Sequence, residues 1–148
     1  MDNLTNDVMN TMKARSDDDN GLELPPKVFL DMEGEILHMD DTTQSLKAKF
    51  PVKTRYQNPL KYMQGGMIVA AIDNTVGPLS FMVAPPSVTS QINTTFIRPV
   101  TPNDEFIFIE AQVTERTRRQ LFITATVTNA EGKVLTLCHV TCAILGDR

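Results

Sequence analysis

The chain is short of positive charge, of metal-binding side chains in groups and of long apolar runs, and each shortage removes a class of function. Fourteen Lys and Arg stand against 18 Asp and Glu, for a net charge of -4, so no overall positive field exists to hold a nucleic-acid backbone. The two cysteines, Cys138 and Cys142, lie four apart in a β-branched run without a Cys-x-x-Cys or Cys/His grouping. They read as small core hydrophobes, and no metal is expected. The two histidines, His38 and His139, have no Ser, Cys or carboxylate partner at readable spacing and read as structural or surface residues. No stretch approaches the ~20 apolar residues that span a bilayer, and Met1 to Arg15 lacks the apolar core of a secretory signal. A cytoplasmic protein without nucleic-acid or membrane partners is expected.

What is present suffices for a core: 148 residues, 41% of them hydrophobic, are expected to form one domain spanning 1–148. Leu4, Val8, Met9 and Met12 have helical spacing, so an N-terminal helix is expected, followed by a solvated acidic turn at Ser16 to Gly21 and an extended lead-in reaching about residue 35. Pro25 and Pro26 block regular structure. From Leu46 the pattern changes: Leu46, Ala48, Phe50 and Val52 alternate with lysines, the period of a half-buried strand, and this is where the core, about 46–145, begins. Arg55 to Gln64 reads as a loop ending at Gly65-Gly66. Met67 to Val76 is apolar on nearly every face, as in a core helix; Gly77-Pro78 is expected to kink or end it, although Leu79 to Val83 can continue it. Four β-rich segments follow, Val88 to Val100, Glu105 to Glu115, Gln120 to Thr128 and Lys133 to Leu145, with connections short enough for an antiparallel meander. The fold class is α+β, a long sheet wrapped around a helix.

The order of elements and the residues Asn58-Pro59, Gln64-Gly65-Gly66 and Asp73 resemble the hot-dog thioesterases of the phenylacetate-degradation (PaaI-like) type, whose helix entry is Asn, a short gap, His-Gly-Gly, then Asp. Thr94 to Pro99 is similar to the strand that follows the helix in that family. The likeness spans about two-thirds of the chain, Leu46 to Leu145, and departs from the pattern at Gln64, where relatives carry His. It implies an acyl-CoA thioesterase, a homodimer or homotetramer, needing no cofactor beyond the coenzyme A of its substrate.

Thioester hydrolysis passes through a tetrahedral oxyanion, so donors must wait where that charge develops. A buried helix N-terminus offers free N–H groups and partial positive charge, and Gly65 and Gly66 let a carbonyl approach the backbone. The family analogy makes the Gly65 amide the donor; the alternative is that the glycines only serve a tight entry. Asp73 is the sole carboxylate in an apolar helix and so needs either a partner or a role in the chemistry. It can be a general base on water, a nucleophile, or a structural Asp bonded nearby. Eight residues separate Gly65 from Asp73, ~12 Å of helix, too far to address one carbonyl together. Two antiparallel helices about a two-fold axis would pair Asp73 of one chain with Gly65 of the other. By resemblance Asn58 orients water or bonds the thioester, and Thr89 assists the Asp; as plain residues they are a turn Asn and a strand Thr. Gln64 can donate an amide N–H but cannot act as an acid. Arg98, Arg116, Arg118 and Arg119 suit the phosphates of coenzyme A and equally suit solvated strand ends. A hot-dog dehydratase would need a His beside the helix carboxylate, which is lacking, and a non-catalytic acyl-CoA-binding protein, sensor or carrier, is the alternative that Gln64 keeps open.

Overall fold

The computed structural model describes residues 1–15 and 22–146; the acidic run Ser16 to Gly21 lies outside them. Helix α1 (Asn3–Arg15) turns Val8, Met9 and Met12 inward, as their spacing requires. Asp2 caps it, its carboxylate accepting the Thr5 N–H at 3.0 Å and the Thr5 hydroxyl at 2.6 Å. That buried hydroxyl also accepts the Ile36 N–H at 2.9 Å, which ties α1 to strand β1 (Glu35–Asp40). Between them a short helix α2 (Lys27–Asp31) starts directly after Pro26. Gly34 then permits a close approach: a Cβ there would lie 2.6 Å from the Phe50 ring and 2.8 Å from Phe29, whose rings meet edge to face at 5.9 Å. Any larger residue would part them.

The other strands are β2 (Ser45–Pro51), β3 (Ser87–Phe96), β4 (Phe106–Arg116), β5 (Gln120–Thr128) and β6 (Val134–Ile144). They form one antiparallel sheet with β1 in the order β1-β2-β4-β5-β6-β3. Its inner face presents Leu46, Phe50, Ile107, Ile109, Ile123 and Val140, all buried, to the helix α3 (Gly65–Val83), which buries Ile68, Ile72, Val76 and Leu79 in return. A long sheet wrapped around one apolar helix is the α+β hot-dog architecture that the resemblance implies.

Several expectations are corrected and one alternative is decided. The first strand is β1, not the segment from Leu46; its lone deeply buried residue, Ile36, leaves no alternation to read. The segment Arg55 to Gln64 is not a plain loop, since a 3-10 turn covers Thr54–Tyr56 and a bridge joins Gln57 to Met63. Of the two courses left open at Gly77-Pro78, α3 takes the continuation and runs to Val83 because Pro78, Leu79 and Ser80 are all buried, so packing outweighs the local penalty of proline. At 19 residues it is also long and apolar enough to cross a membrane by length and composition, which the apolar runs in the sequence did not suggest; here the sheet covers one of its faces. Finally, β3 does not pair with β4. It leaves the meander and pairs with β6 at the far edge, and the long connection 97–105 then carries the chain across to β4.

The Thr5 relay sets an expectation. Burial works to raise the Asp2 pKa, but hydrogen bonds from the Thr5 hydroxyl and N–H outweigh it and hold the carboxyl below its ordinary value of 3.8. The associated stability is present above that ordinary value and is lost as pH falls through the lowered one. Thr5→Val should therefore cost about 1–3 kcal/mol in urea unfolding at neutral pH, by stranding the Ile36 N–H and one Asp2 oxygen. The deficit should narrow in acid. Equal stability of the two proteins at neutral pH would show that the relay contributes nothing.

Candidate functional site

The entry to α3 is pinned by backbone hydrogen bonds. Gln64 N–H donates to the Tyr56 carbonyl at 2.7 Å and Met63 N–H to Val100 at 3.0 Å. Gln64 holds the N-cap position with φ -56 and ψ 134, and its side chain does not cap the helix; it is exposed. The Gln64 carbonyl already takes the N–H groups of Met67 and Ile68, so the amides left without an acceptor among the described residues are those of Gly65 and Gly66, the pair whose orphan N–H groups carry the positive end of the helix dipole. A Cβ on Gly65 would touch the Phe96 ring at 3.0 Å, whereas Gly66 faces open space. Asn58 sits in the preceding turn, where its side-chain oxygen accepts the N–H groups of Leu60 at 2.9 Å and Tyr62 at 3.1 Å. Turn formation thus engages the oxygen and leaves only its amide nitrogen unengaged among the described residues.

Two turns further along α3, Asp73 is exposed in the single chain, not buried as its apolar helix suggested; the face it occupies is one that the sheet leaves uncovered. Its carboxylate accepts a 2.7 Å hydrogen bond from the Thr89 hydroxyl on β3. The two residues that the sequence set as candidates sixteen positions apart are therefore in contact, and Thr89 fixes one carboxylate oxygen while the other stays open.

Beside Asp73 lies a cavity of about 220 Å³, walled by α3, the start of β3 and the N-terminal segment, with Gly77, Phe81, Leu24 and Phe29 among its residues. Cys142 also reaches it, but burial pushes that thiol up, and the nearby Asp73 charge adds to the rise against hydrogen bonds from Thr89 and Ser87. A thiol so shifted is a poor nucleophile. Cys138 and Cys142 are both buried and unpaired, while His38 and His139 are exposed, as expected of core and surface residues.

The arginines divide. Arg98 donates to the Val134 carbonyl at 2.7 Å and Arg116 to Val83 at 3.0 Å. Arg116 and Arg15, which bonds the Met82 carbonyl, together complement the negative end of α3. Arg118 and Arg119 project from the β4–β5 turn, exposed, with guanidinium groups that engage none of the described residues. Register places Val88 and Gln120 on either side of Ala143, so this turn lies two strands, about 10 Å, from the start of β3 beside Asp73.

The cavity wall is what sequence reasoning missed. Gly77 and Phe81 follow Asp73 at one- and two-turn spacing and could have been read onto its face; no sequence signal places Leu24 or Phe29 there.

Solved structures share this fold throughout. A phenylacetic-acid-degradation-related protein from Ralstonia eutropha is 20% identical, with TM-score 0.78 over 93% of this chain and 98% of its own. The PaaI protein of Escherichia coli, from the phenylacetic acid degradation operon, is 15% identical with TM-score 0.79 over 94% and 96%. A Streptococcus mutans protein solved with acetyl-CoA is 16% identical, TM-score 0.72, over 87% and 97%. Among curated proteins none matches the sequence. The sequence pattern of the thioesterase superfamily matches residues 60–136, a stretch that holds the Gly65-Gly66 entry, Asp73 and Thr89 and more than half of the chain, and the protein belongs to that superfamily.

Proposed function

We propose that the chain, folded as one domain, hydrolyses acyl-CoA thioesters in the cytoplasm, at sites that two copies complete together. The observation that carries this reading is the Asp73 carboxylate, oriented by Thr89 at 2.7 Å on the same helix whose free amides stand ~12 Å away at Gly65. A carbonyl carbon cannot be reached by both within one subunit. Strand β3 supplies the remedy. Among the described residues it ends the sheet and pairs with β6 alone, and it exposes Val88 and Phe96, with Ile97 just beyond it, to about half of their full area, an edge that invites pairing. Thr89 marks the Asp73 end of β3 and Phe96 the Gly65 end. An antiparallel β3–β3 ribbon setting Thr89 opposite the partner's Phe96 would therefore bring Asp73 to the partner's Gly65, twice per dimer. A tetramer of such dimers is equally compatible.

In that site the thioester oxygen accepts the N–H of the partner's Gly65, with the Gln64 amide as a second donor, and the helix dipole stabilises the oxyanion. Asp73 takes a proton from the attacking water, or adds to the carbonyl itself. Collapse of the tetrahedral intermediate breaks the C–S bond. By the general-base route the free acid forms at once and the leaving thiolate of coenzyme A takes back the proton that Asp73 removed from water, whereas by the nucleophilic route the thiolate leaves an acyl-Asp73 anhydride, which water then hydrolyses to the acid. Arg118 and Arg119 are the free cations for its phosphates, with Arg98 and Arg116 in supporting positions; the Asn58 amide nitrogen and the open Gly66 face line the approach. No cofactor is needed. Superfamily membership and the acetyl-CoA held by a protein of the same fold support the substrate class. The second reading, acyl-CoA binding without turnover, rests on Gln64 in place of His; ligand that raises the melting temperature without releasing thiol would favour it.

Two substitutions test the site. Asp73→Asn should retain the fold and lower thiol release by at least ~100-fold, with Thr89→Val causing a smaller loss; full activity in Asp73→Asn would make the carboxylate structural. Gly65→Ala, which sets a Cβ 3.0 Å from the Phe96 ring but keeps the N–H, is the control for Gly65→Pro. The latter adds the same Cβ and removes the donor N–H at the first helical residue, where proline is accepted and the Gln64 angles of -56 and 134 suit a residue before proline. Turnover in Gly65→Pro should fall ~100-fold or more while the melting temperature holds within a few degrees. Unimpaired thiol release from a folded Gly65→Pro protein would rule out the amide as oxyanion donor.

A further inference from the structure

Apart from Asp73 and Thr89 at its edge, the cavity is built from parts of the chain that the hydrolytic chemistry does not use. On one side, α3 presents Gly77 and Phe81, one and two turns beyond the carboxylate. On the other, the N-terminal segment closes over with Met12 from α1, Leu22, Leu24 and Pro26 from the lead-in, and Phe29 from α2. The polar side chains of the wall are mostly engaged elsewhere. Ser80 bonds the Gly77 carbonyl at 2.8 Å, Asn74 that of Ala70 at 2.9 Å, and Glu23 pairs with Lys27 at 3.4 Å. The buried Ser87 hydroxyl faces only the neighbouring Cys142 thiol. What the cavity offers a ligand is thus an apolar lining with Asp73 at its edge.

Size then decides what fits. An apolar cavity of about 150 Å³ holds one benzene ring, so about 220 Å³ takes an aromatic ring with a short arm or a chain of roughly eight carbons at similar packing. We infer that this cavity is the acyl-binding pocket and that the N-terminal segment, Met12 with Leu22 to Phe29, is the wall that limits it, so that the protein selects compact apolar acyl groups over long chains. This rests on the thioesterase reading above for its substrate, but the wall and its volume stand on geometry.

Gly77 provides the probe. It lines the cavity, and a Cβ added there meets nothing within 4 Å, so Gly77→Leu fills the pocket from a rigid helix and gives up a glycine in a helix interior. The ratio of kcat/KM for octanoyl-CoA to that for acetyl-CoA should fall by at least ~30-fold, within the range that hydrophobic pockets discriminate per added group. Phe81→Ala should shift the preference the other way, towards dodecanoyl-CoA. Hydrolysis that continues with the octanoyl to acetyl ratio unchanged in both variants overturns the pocket and leaves the thioesterase reading intact. If the parent protein hydrolyses no acyl-CoA, that reading fails and the pocket is judged by calorimetric binding of octanoyl-CoA: affinity at least ~10-fold weaker in Gly77→Leu supports it, and equal affinity, or no binding to the parent, overturns it.

Discussion

Everything in the proposed site follows from the fixed rise of one helix. Eight residues of α3 hold the Gly65 amide and the Asp73 carboxylate ~12 Å apart, and the helix cannot flex to bring them closer because the sheet packs Ile68, Ile72, Val76 and Leu79 against the core. The rigidity that separates the two groups is also what makes them usable. Each is held in place before substrate arrives, the condition under which an oxyanion donor and a base cost no reorganisation. The fold leaves uncovered the stretch of α3 that carries them, and beside it the unpaired edge of β3.

The electrostatics of α3 run in one direction. Its positive end is left open at Gly65 and Gly66, while its negative end is occupied by Arg15 and Arg116, bonded to Met82 and Val83. Between them Asp73 keeps one oxygen engaged by Thr89 and one for chemistry. The neighbouring Cys142 is pushed by burial towards the neutral thiol, so it competes with Asp73 neither as a base nor as a nucleophile. The apolar cavity adjoining this carboxylate gives the acyl group somewhere to go that does not disturb the charge arrangement.

Much of the architecture was legible because it is local. The alternation at Leu46, Ala48 and Phe50, the apolar body of α3 and the two tight connections on either side of β5 are period and turn chemistry, and each element formed where the pattern placed it. The Asp73–Thr89 pair was reachable only through the family resemblance, since nothing in the spacing of two residues sixteen apart says that a helix and an edge strand bring them together. Long-range choices were not legible. That β3 crosses to pair with β6 depends on which strands can share a core, and the exposure of Asp73 depends on which face of α3 the sheet happens to leave. The run of α3 through Pro78 reflects burial overriding propensity. The cavity wall was hidden because Leu24 and Phe29 reach Asp73 through tertiary packing alone.

The central claim, that one chain supplies the carboxylate and the other the amide, is tested most directly by mixing two defective proteins. Asp73→Asn and Gly65→Pro chains, each nearly inactive alone, are co-refolded or co-expressed at equal amounts and assayed for thiol release. Random pairing gives half heterodimers, each with one site holding both the native Asp73 and the native Gly65, so about a quarter of the parent activity should return. Activity that stays at the level of the separate variants, in a mixture shown to contain heterodimers, would contradict the shared site.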